Sequence, residues 1–235
     1  MSAGANTEVI VALDVANAGA AETLVTRLGG EARWLKIGLE LFCAEGPDLV
    51  RRFAASGFRI MLDLKLHDIP QTVERAVAQA GSLGVELLTV HAAGGRAMLE
   101  AAAAAASRAA EPRPRILAVT VLTSMDDVDL GETGCVGGAE ALVLRRAQLA
   151  AKAGCDGVVA SPHEAAHIRE GAPKGFLIVT PGVRPAGAAA ADQKRVMAPR
   201  QARQAGADFV VVGRPITGAD NPCAALRAIA AELQD

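Results

Sequence analysis

Eight short apolar runs recur along the chain, and their spacing restricts the fold more than any other feature. They are Val9–Leu13, Trp34–Ile37, Arg59–Leu64, Leu87–His91, Ile116–Val121, Gly157–Ala160, Leu177–Thr180 and Phe209–Val212. All are rich in Val, Ile and Leu and show little alternation with polar residues, the pattern of parallel strands covered on both faces. Most are followed by an alanine-rich stretch with helix signals. Gly57, Gly84, Gly154, Gly171 and Gly206 stand where a helix would stop before the next strand. Eight strand–helix units in 235 residues predict an α/β fold, a closed (β/α)8 TIM barrel with residues 1–235 as a single domain. An open doubly wound sheet is the alternative, but no Gly-x-Gly-x-x-Gly follows the first run to support it. Ala101–Ala106 reads as plain helix former. Pro185–Ala191, small and apolar between a strand and a helix, predicts a loop over the barrel mouth. No repeat stands out beyond the strand–helix rhythm.

The charge balance narrows the partners. With 24 Lys and Arg against 26 Asp and Glu, the formal net charge is −2, so no basic excess argues for nucleic acid. Cys43, Cys135, Cys155 and Cys223 are scattered with no Cys-x-x-Cys pair, and read as reduced buried thiols, not a disulfide frame or a zinc site. No basic segment followed by an apolar run opens the chain, and no apolar stretch is long enough for a bilayer. The expectation is a soluble cytoplasmic protein.

The most informative segment is Met61-Leu-Asp63-Leu-Lys65-Leu-His67-Asp68-Ile69-Pro70. Asp63 and Lys65, two apart on a strand, point to the same side. In a barrel that side can be the interior, and the C-terminal ends of the strands carry the chemistry. Asp68 follows in the loop. Asp14 closes the first strand and Lys36 lies in the second. Charges gathered there are costly unless paired, so the pattern predicts either a structural ion-pair network or a catalytic one. A lysine held between carboxylates has a fixed direction and can deliver its proton to a carbanion.

Thr180-Pro181-Gly182-Val183-Arg184 follows the seventh strand and Gly213-Arg214-Pro215-Ile216 the eighth. Loops at these places form the usual phosphate site of such barrels. Glycine lets backbone N–H groups approach an anion, and Arg184 or Arg214 can add a bidentate contact. Gln193, at the end of the mouth loop, could reach the same ligand or simply be a solvated turn residue. Thr123 and Ser124, just after the fifth strand, offer hydroxyls at the mouth or caps for the next helix.

Together these segments resemble orotidine 5′-phosphate decarboxylases of the bacterial type. The match runs through Val11-Ala-Leu-Asp14, Leu35-Lys36-Ile-Gly38, Asp63 to Pro70, Val119 to Ser124, Thr180 to Arg184, Asp192-Gln193-Lys-Arg195 and Val212-Gly213-Arg214-Pro-Ile216, nearly the whole chain. The resemblance implies decarboxylation of orotidine 5′-monophosphate to UMP and CO2, with no metal or organic cofactor. It implies that Lys65 protonates the pyrimidine C6 and that Asp63 lies beside the substrate carboxylate. Lys36, Asp63, Lys65 and Asp68 would form an alternating array, Asp68 coming from the partner subunit of a homodimer. Asp14 and Lys36 would contact the ribose, and Thr72 would reach the ribose of the neighbouring site. Arg184, Gln193, Gly213 and Arg214 would hold the phosphate, with Pro181 in the same binding segment and Thr123 and Ser124 near the pyrimidine. The departures are Gln71 in place of a usual Asn, a mouth loop rich in alanine, and Phe209 in place of a common Tyr.

Three rivals remain in view. Hexulose-phosphate synthases and ketogulonate-phosphate decarboxylases share the Asp-x-Lys-x-x-Asp core but use Mg2+. His163-Glu164-Ala-Ala-His167 spells a zinc-peptidase motif if both histidines share a helix face. A non-catalytic barrel that binds phosphorylated ligands would keep both phosphate loops without needing the charged cluster.

Overall fold

The computed structural model describes residues 7–184 and 197–234. Its strands are β1 (Glu8–Ala12), β2 (Trp34–Gly38), β3 (Arg59–Leu66), β4 (Leu87–His91), β5 (Arg115–Val119), β6 (Gly157–Val159), β7 (Leu177–Thr180) and β8 (Phe209–Val212). The helices are α1 (Ala18–Arg27), α2 (Leu39–Ala55), α3 (Pro70–Gly81), α4 (Gly95–Ser107), α5 (Asp127–Glu132), α6 (Gly138–Lys152), α7 (Ala165–Gly171), α8 (Pro199–Gln204), α9 (Arg214–Thr217) and α10 (Pro222–Glu232). Each strand pairs in parallel with the next, and β8 returns to β1, so the sheet closes as a (β/α)8 TIM barrel. The expected strands agree with these to within one or two residues.

Parity along the strands divides the core in two. Val11, Leu35, Ile60, Leu62, Leu88, Ile116 and Val210 face outward and pack with the helices. Ile10, Trp34, Met61, Leu87, Leu117, Val179 and Phe209 face inward and fill the barrel. Continuing the inward parity toward the C-terminal ends reaches Asp14, Lys36, Asp63, Thr89, Pro181 and Gly213. A period of two therefore carries the interior from apolar at one end to charged at the other.

The apolar end is closed by Trp34. Its ring meets Phe209 edge-on with centroids 5.1 Å apart, and the Arg59 guanidinium lies 4.1 Å over it. Arg59 also donates to both carboxylate oxygens of Glu86, at 2.8 and 2.5 Å. Phe209, noted as a departure from the family pattern, thus serves the floor of the barrel and not its mouth.

A recurring turn marks that floor. Gly57-Phe-Arg59, Gly84-Val-Glu86, Gly154-Cys-Asp156 and Gly206-Ala-Asp208 each end a helix and begin a strand. The four glycines take φ of 77 to 89°, the left-handed turn that stops a helix. The charged residue then fastens the floor: Asp156 pairs with Arg113 and accepts from the Ile116 N–H, and Asp208 pairs with Arg169 and accepts from the Ile178 N–H. Gly171 departs from expectation. It is the last residue of α7, and the left-handed turn before β7 falls at Gly175 instead. The thiols also depart: only Cys155 is buried, its pKa pushed up to about 12 by burial, while Cys43 is exposed and Cys135 and Cys223 are half-buried.

Close packing leaves β6 no room at Gly157, where a Cβ would lie 2.4 Å from the Leu177 carbonyl oxygen. Gly157→Ala is expected to cost about 1–3 kcal/mol through overpacking. Gly171→Ala, with nothing within 4 Å of the added carbon, should stay within about 0.5 kcal/mol of the parent or gain slightly. Thermal unfolding followed by circular dichroism checks both, and equal melting of the two variants would contradict the tight β6–β7 approach.

Candidate active site

Four charged side chains meet at the C-terminal ends of β1, β2 and β3. Asp14 stands two residues beyond β1, and its Oδ1 accepts from Lys36 Nζ at 2.7 Å. Lys36 Nζ lies 3.9 Å from Asp63 Oδ2, and the same oxygen accepts from Lys65 Nζ at 2.8 Å. The order is Asp14, Lys36, Asp63, Lys65, with signs alternating. Lys36 and Asp63 are only 9% and 8% exposed, so each needs its neighbours to offset desolvation. Gly38 makes space for this: a Cβ there would lie 2.9 Å from Lys36 Nζ.

The spacing of Asp63 and Lys65 brings their side chains together as expected, but not by regular strand geometry. Pairing of β3 with β4 runs Met61 with Leu87 and Leu62 with Leu88, then resumes at Leu66 with Val90. Lys65 sits inside this irregularity at φ 49°, the one non-glycine residue with positive φ among those described. Its backbone N–H donates to Thr89 Oγ1 at 2.9 Å, and that hydroxyl donates to Asp63 Oδ1 at 2.9 Å. Sequence reasoning missed Thr89, since a threonine in an apolar strand is an ordinary β former.

Beside the array opens a cavity of about 520 Å³. Lys36, Asp63 and Lys65 line it together with Thr123, Pro181, Arg184, Gly213 and Arg214. Arg184 is held through its backbone: its N–H donates to the Met197 carbonyl at 3.0 Å, and the Met197 N–H donates to the Gly182 carbonyl at 3.3 Å. The buried Arg184 Nε has no hydrogen-bond partner among the described residues. Burial and the nearby Arg214 pull the Arg184 pKa below its ordinary value. Arg214 begins α9, and the Ile216 and Thr217 N–H groups that follow donate to the Gly213 carbonyl at 2.8 and 3.0 Å. Two guanidinium groups lining one cavity suit an anion.

Other predicted site residues stay outside this cavity within one chain. Asp68 is exposed and its Oδ1 accepts from the Ile69 N–H at 2.6 Å. Thr72 is exposed in the first turn of α3, as is the neighbouring Gln71, and Ser124 is exposed beyond β5. Gln193, Asp192, Arg195 and the loop at Pro185–Ala191 lie outside the described residues. His67 and His91 stack with centroids 5.2 Å apart. His91 Nδ1 accepts from the Ala93 N–H, and burial with Arg146 nearby lowers its pKa to about 4, which keeps the ring neutral. The zinc motif does not form. α7 begins at Ala165, after His163, and His167 Nδ1 lies 2.8 Å from Glu140 Oε1.

Known proteins similar to this chain are numerous. The model of the orotidine 5′-phosphate decarboxylase / HUMPS family matches residues 7–229. The orotidine 5′-phosphate decarboxylase of Halorhodospira halophila is 54% identical over 99% of this chain and 98% of its own length. That of Moorella thermoacetica is 53% identical over 98% of this chain and 93% of its own. The crystal structure of the Lactobacillus acidophilus orotidine 5′-phosphate decarboxylase superposes with a TM-score of 0.87 at 38% identity, covering 97% of this chain and 100% of that one. With its closed barrel, its paired charges and this similarity along almost its full length, the chain belongs to the orotidine 5′-phosphate decarboxylase / HUMPS family.

Proposed function

We propose that the chain decarboxylates orotidine 5′-monophosphate to UMP and CO2, the last step of de novo pyrimidine nucleotide synthesis. One observation carries the reading: an alternating Asp–Lys–Asp–Lys array lines the same cavity as two arginines. The substrate has matching parts, a carboxylate on the reacting ring and a phosphate remote from it.

In this reading Arg184, Arg214 and the Gly213 backbone hold the phosphate, joined by Gln193, with Pro181 beside them. Asp14 and Lys36 take the ribose, and Thr123 and Ser124 the pyrimidine side. Asp63 stands beside the substrate carboxylate. The bond from C6 to the carboxyl carbon breaks, CO2 departs, and its bonding electron pair stays on C6. Lys65 Nζ then gives its proton to C6, forming the C–H bond of UMP, and regains a proton from water. Stabilisation of negative charge growing at C6 by the fixed ammonium is the main electrostatic contribution. The residues need no cofactor for these steps.

A homodimer completes the site, with residues 1–235 as one catalytic domain in each subunit. Asp68 is exposed and does not line its own chain's cavity, and Leu39 and Ile69 expose apolar side chains on the same rim. Asp68 of the partner subunit would supply the next charge beyond Lys65, and Thr72 of the partner subunit a ribose contact. A cytoplasmic setting fits four free cysteines, and no helix among the described residues is long and apolar enough to cross a membrane.

Lys65→Ala is expected to lower orotidylate turnover by at least ~10³-fold, within the span assigned to general acids, while UMP affinity stays near that of the parent. Turnover should survive EDTA; loss on chelation would point instead to the Mg2+-dependent relatives. Arg214→Ala should weaken UMP by about 10- to 100-fold, the loss of a charge-assisted hydrogen bond, and leave uridine nearly unchanged. Equal losses for both ligands would remove the phosphate role. An equimolar mixture of Asp68→Ala and Lys65→Ala subunits should recover about one quarter of parental activity, since half the dimers are hybrids with one intact site of two. No recovery after subunit exchange counts against a shared site.

A further inference from the structure

The interruption in the β3–β4 ladder leaves Thr89 with an unusual task. Between the pairs Leu62–Leu88 and Leu66–Val90, β4 contributes Thr89 alone, while β3 contributes Asp63, Leu64 and Lys65. The extra length on β3 is what gives the Lys65 side chain its position over the cavity. It also removes Lys65 from regular main-chain pairing, and a buried backbone N–H without a partner is costly. The Thr89 hydroxyl takes that N–H at 2.9 Å.

The same hydroxyl has one proton to give, and gives it to Asp63 Oδ1 at 2.9 Å. Thr89 is fully buried, so water does not compete for either bond. The division of the Asp63 carboxylate follows. Oδ1 is engaged from β4, and Oδ2 is left to face both ammonium groups, Lys65 at 2.8 Å and Lys36 at 3.9 Å. A single hydroxyl thus fixes the carboxylate's rotation and the backbone from which the lysine springs.

We propose that Thr89 is a positioning residue for proton delivery, holding Lys65 in its left-handed backbone conformation and aiming Asp63 Oδ2 at the two lysines. This inference rests on the decarboxylase reading for its kinetic consequence, although its geometric consequence stands without it. Thr89 does not line the cavity and acts through Asp63 and Lys65. Valine keeps the shape and removes both bonds, whereas serine keeps the hydroxyl.

The test compares Thr89→Val and Thr89→Ser with the parent by steady-state decarboxylation, thermal unfolding and crystallography of the UMP complex. Thr89→Val should lower kcat by about 10²-fold with KM for orotidylate within about threefold, the loss expected when a reacting group is misplaced by about 1 Å. Thr89→Ser should restore kcat to within about threefold of the parent. In the valine crystal Lys65 should leave positive φ and its Nζ should move beyond about 4 Å from Asp63 Oδ2, outside hydrogen-bonding distance. Parental kcat in the valine variant, or a serine variant impaired as much as the valine, overturns the proposal. So does a valine crystal in which Lys65 keeps its conformation and its bond to Asp63. If the parent itself fails to turn over orotidylate, the decarboxylase reading falls, and the crystal comparison still decides the role of Thr89.

Discussion

Asp63 holds a carboxylate with almost no water around it, between two ammonium groups and one hydroxyl. Taken out of solvent alone, such a group would be strongly destabilising. Here both oxygens are engaged, and the Coulomb attraction of Lys36 and Lys65 is strengthened by the same burial that makes isolation costly. The lysines depend on it in turn. Without Asp63, Lys36 would keep only Asp14, and Lys65 would lose its one ion-pair partner among the described residues. Asp14 is mostly exposed, so its attraction is screened far more. The rim of the barrel is therefore organised around one carboxylate, and the space at Gly38, the bulge in β3 and the Thr89 hydroxyl all serve its neighbours.

The barrel separates stability from chemistry by strand direction. At the N-terminal ends, Trp34 and Phe209 plug the interior, the Arg59–Glu86 and Arg113–Asp156 pairs tie the starts of adjacent strands, and Arg169–Asp208 ties α7 to the start of β8. At the C-terminal ends the inward residues turn charged or small, and the loops begin. Lys65 has positive φ in this second region, flanked by the Leu62–Leu88 and Leu66–Val90 pairs. Strain at one residue is tolerable when the surrounding structure over-determines it.

Much of this was legible from sequence because it follows a period. Apolar runs without alternation gave the strands, and inward parity carried Asp14, Lys36 and Asp63 to one end. Residues that break a period were harder to see. The Gly-x-charged turn was missed because its charged member varies among Arg, Glu and Asp, so identity hides what position preserves. Gly171 misled because a glycine can close a helix in an ordinary conformation as well as a left-handed one. Thr89 gave no signal at all: its importance comes from the register slip opposite it, which is a property of two strands together. Asp68 was read as reaching the array from a partner subunit; in the single chain it is exposed and accepts from the Ile69 N–H.

The charges also explain why the site needs two ends. Asp14, Lys36, Asp63 and Lys65 sum to zero, so the array alone offers little net attraction to an anionic nucleotide. An added Asp68 from a partner would make the sum negative and repel a substrate carboxylate. On the proposed reading the attraction comes from Arg184 and Arg214, which line the same cavity, and the buried Arg184 Nε has no hydrogen-bond partner among the described residues. Binding energy gathered at a remote group can be used to hold the reacting group where it would not settle by itself. A carboxylate brought beside Asp63 is such a group. Losing it as CO2 moves its charge onto the ring carbon, where the Lys65 ammonium can neutralise it. Rigid strands suit the reacting end, because the lysine must stay aimed while charge moves. The turns after β7 and β8 suit the anchoring end, because their backbone N–H groups and arginines can converge on a phosphate.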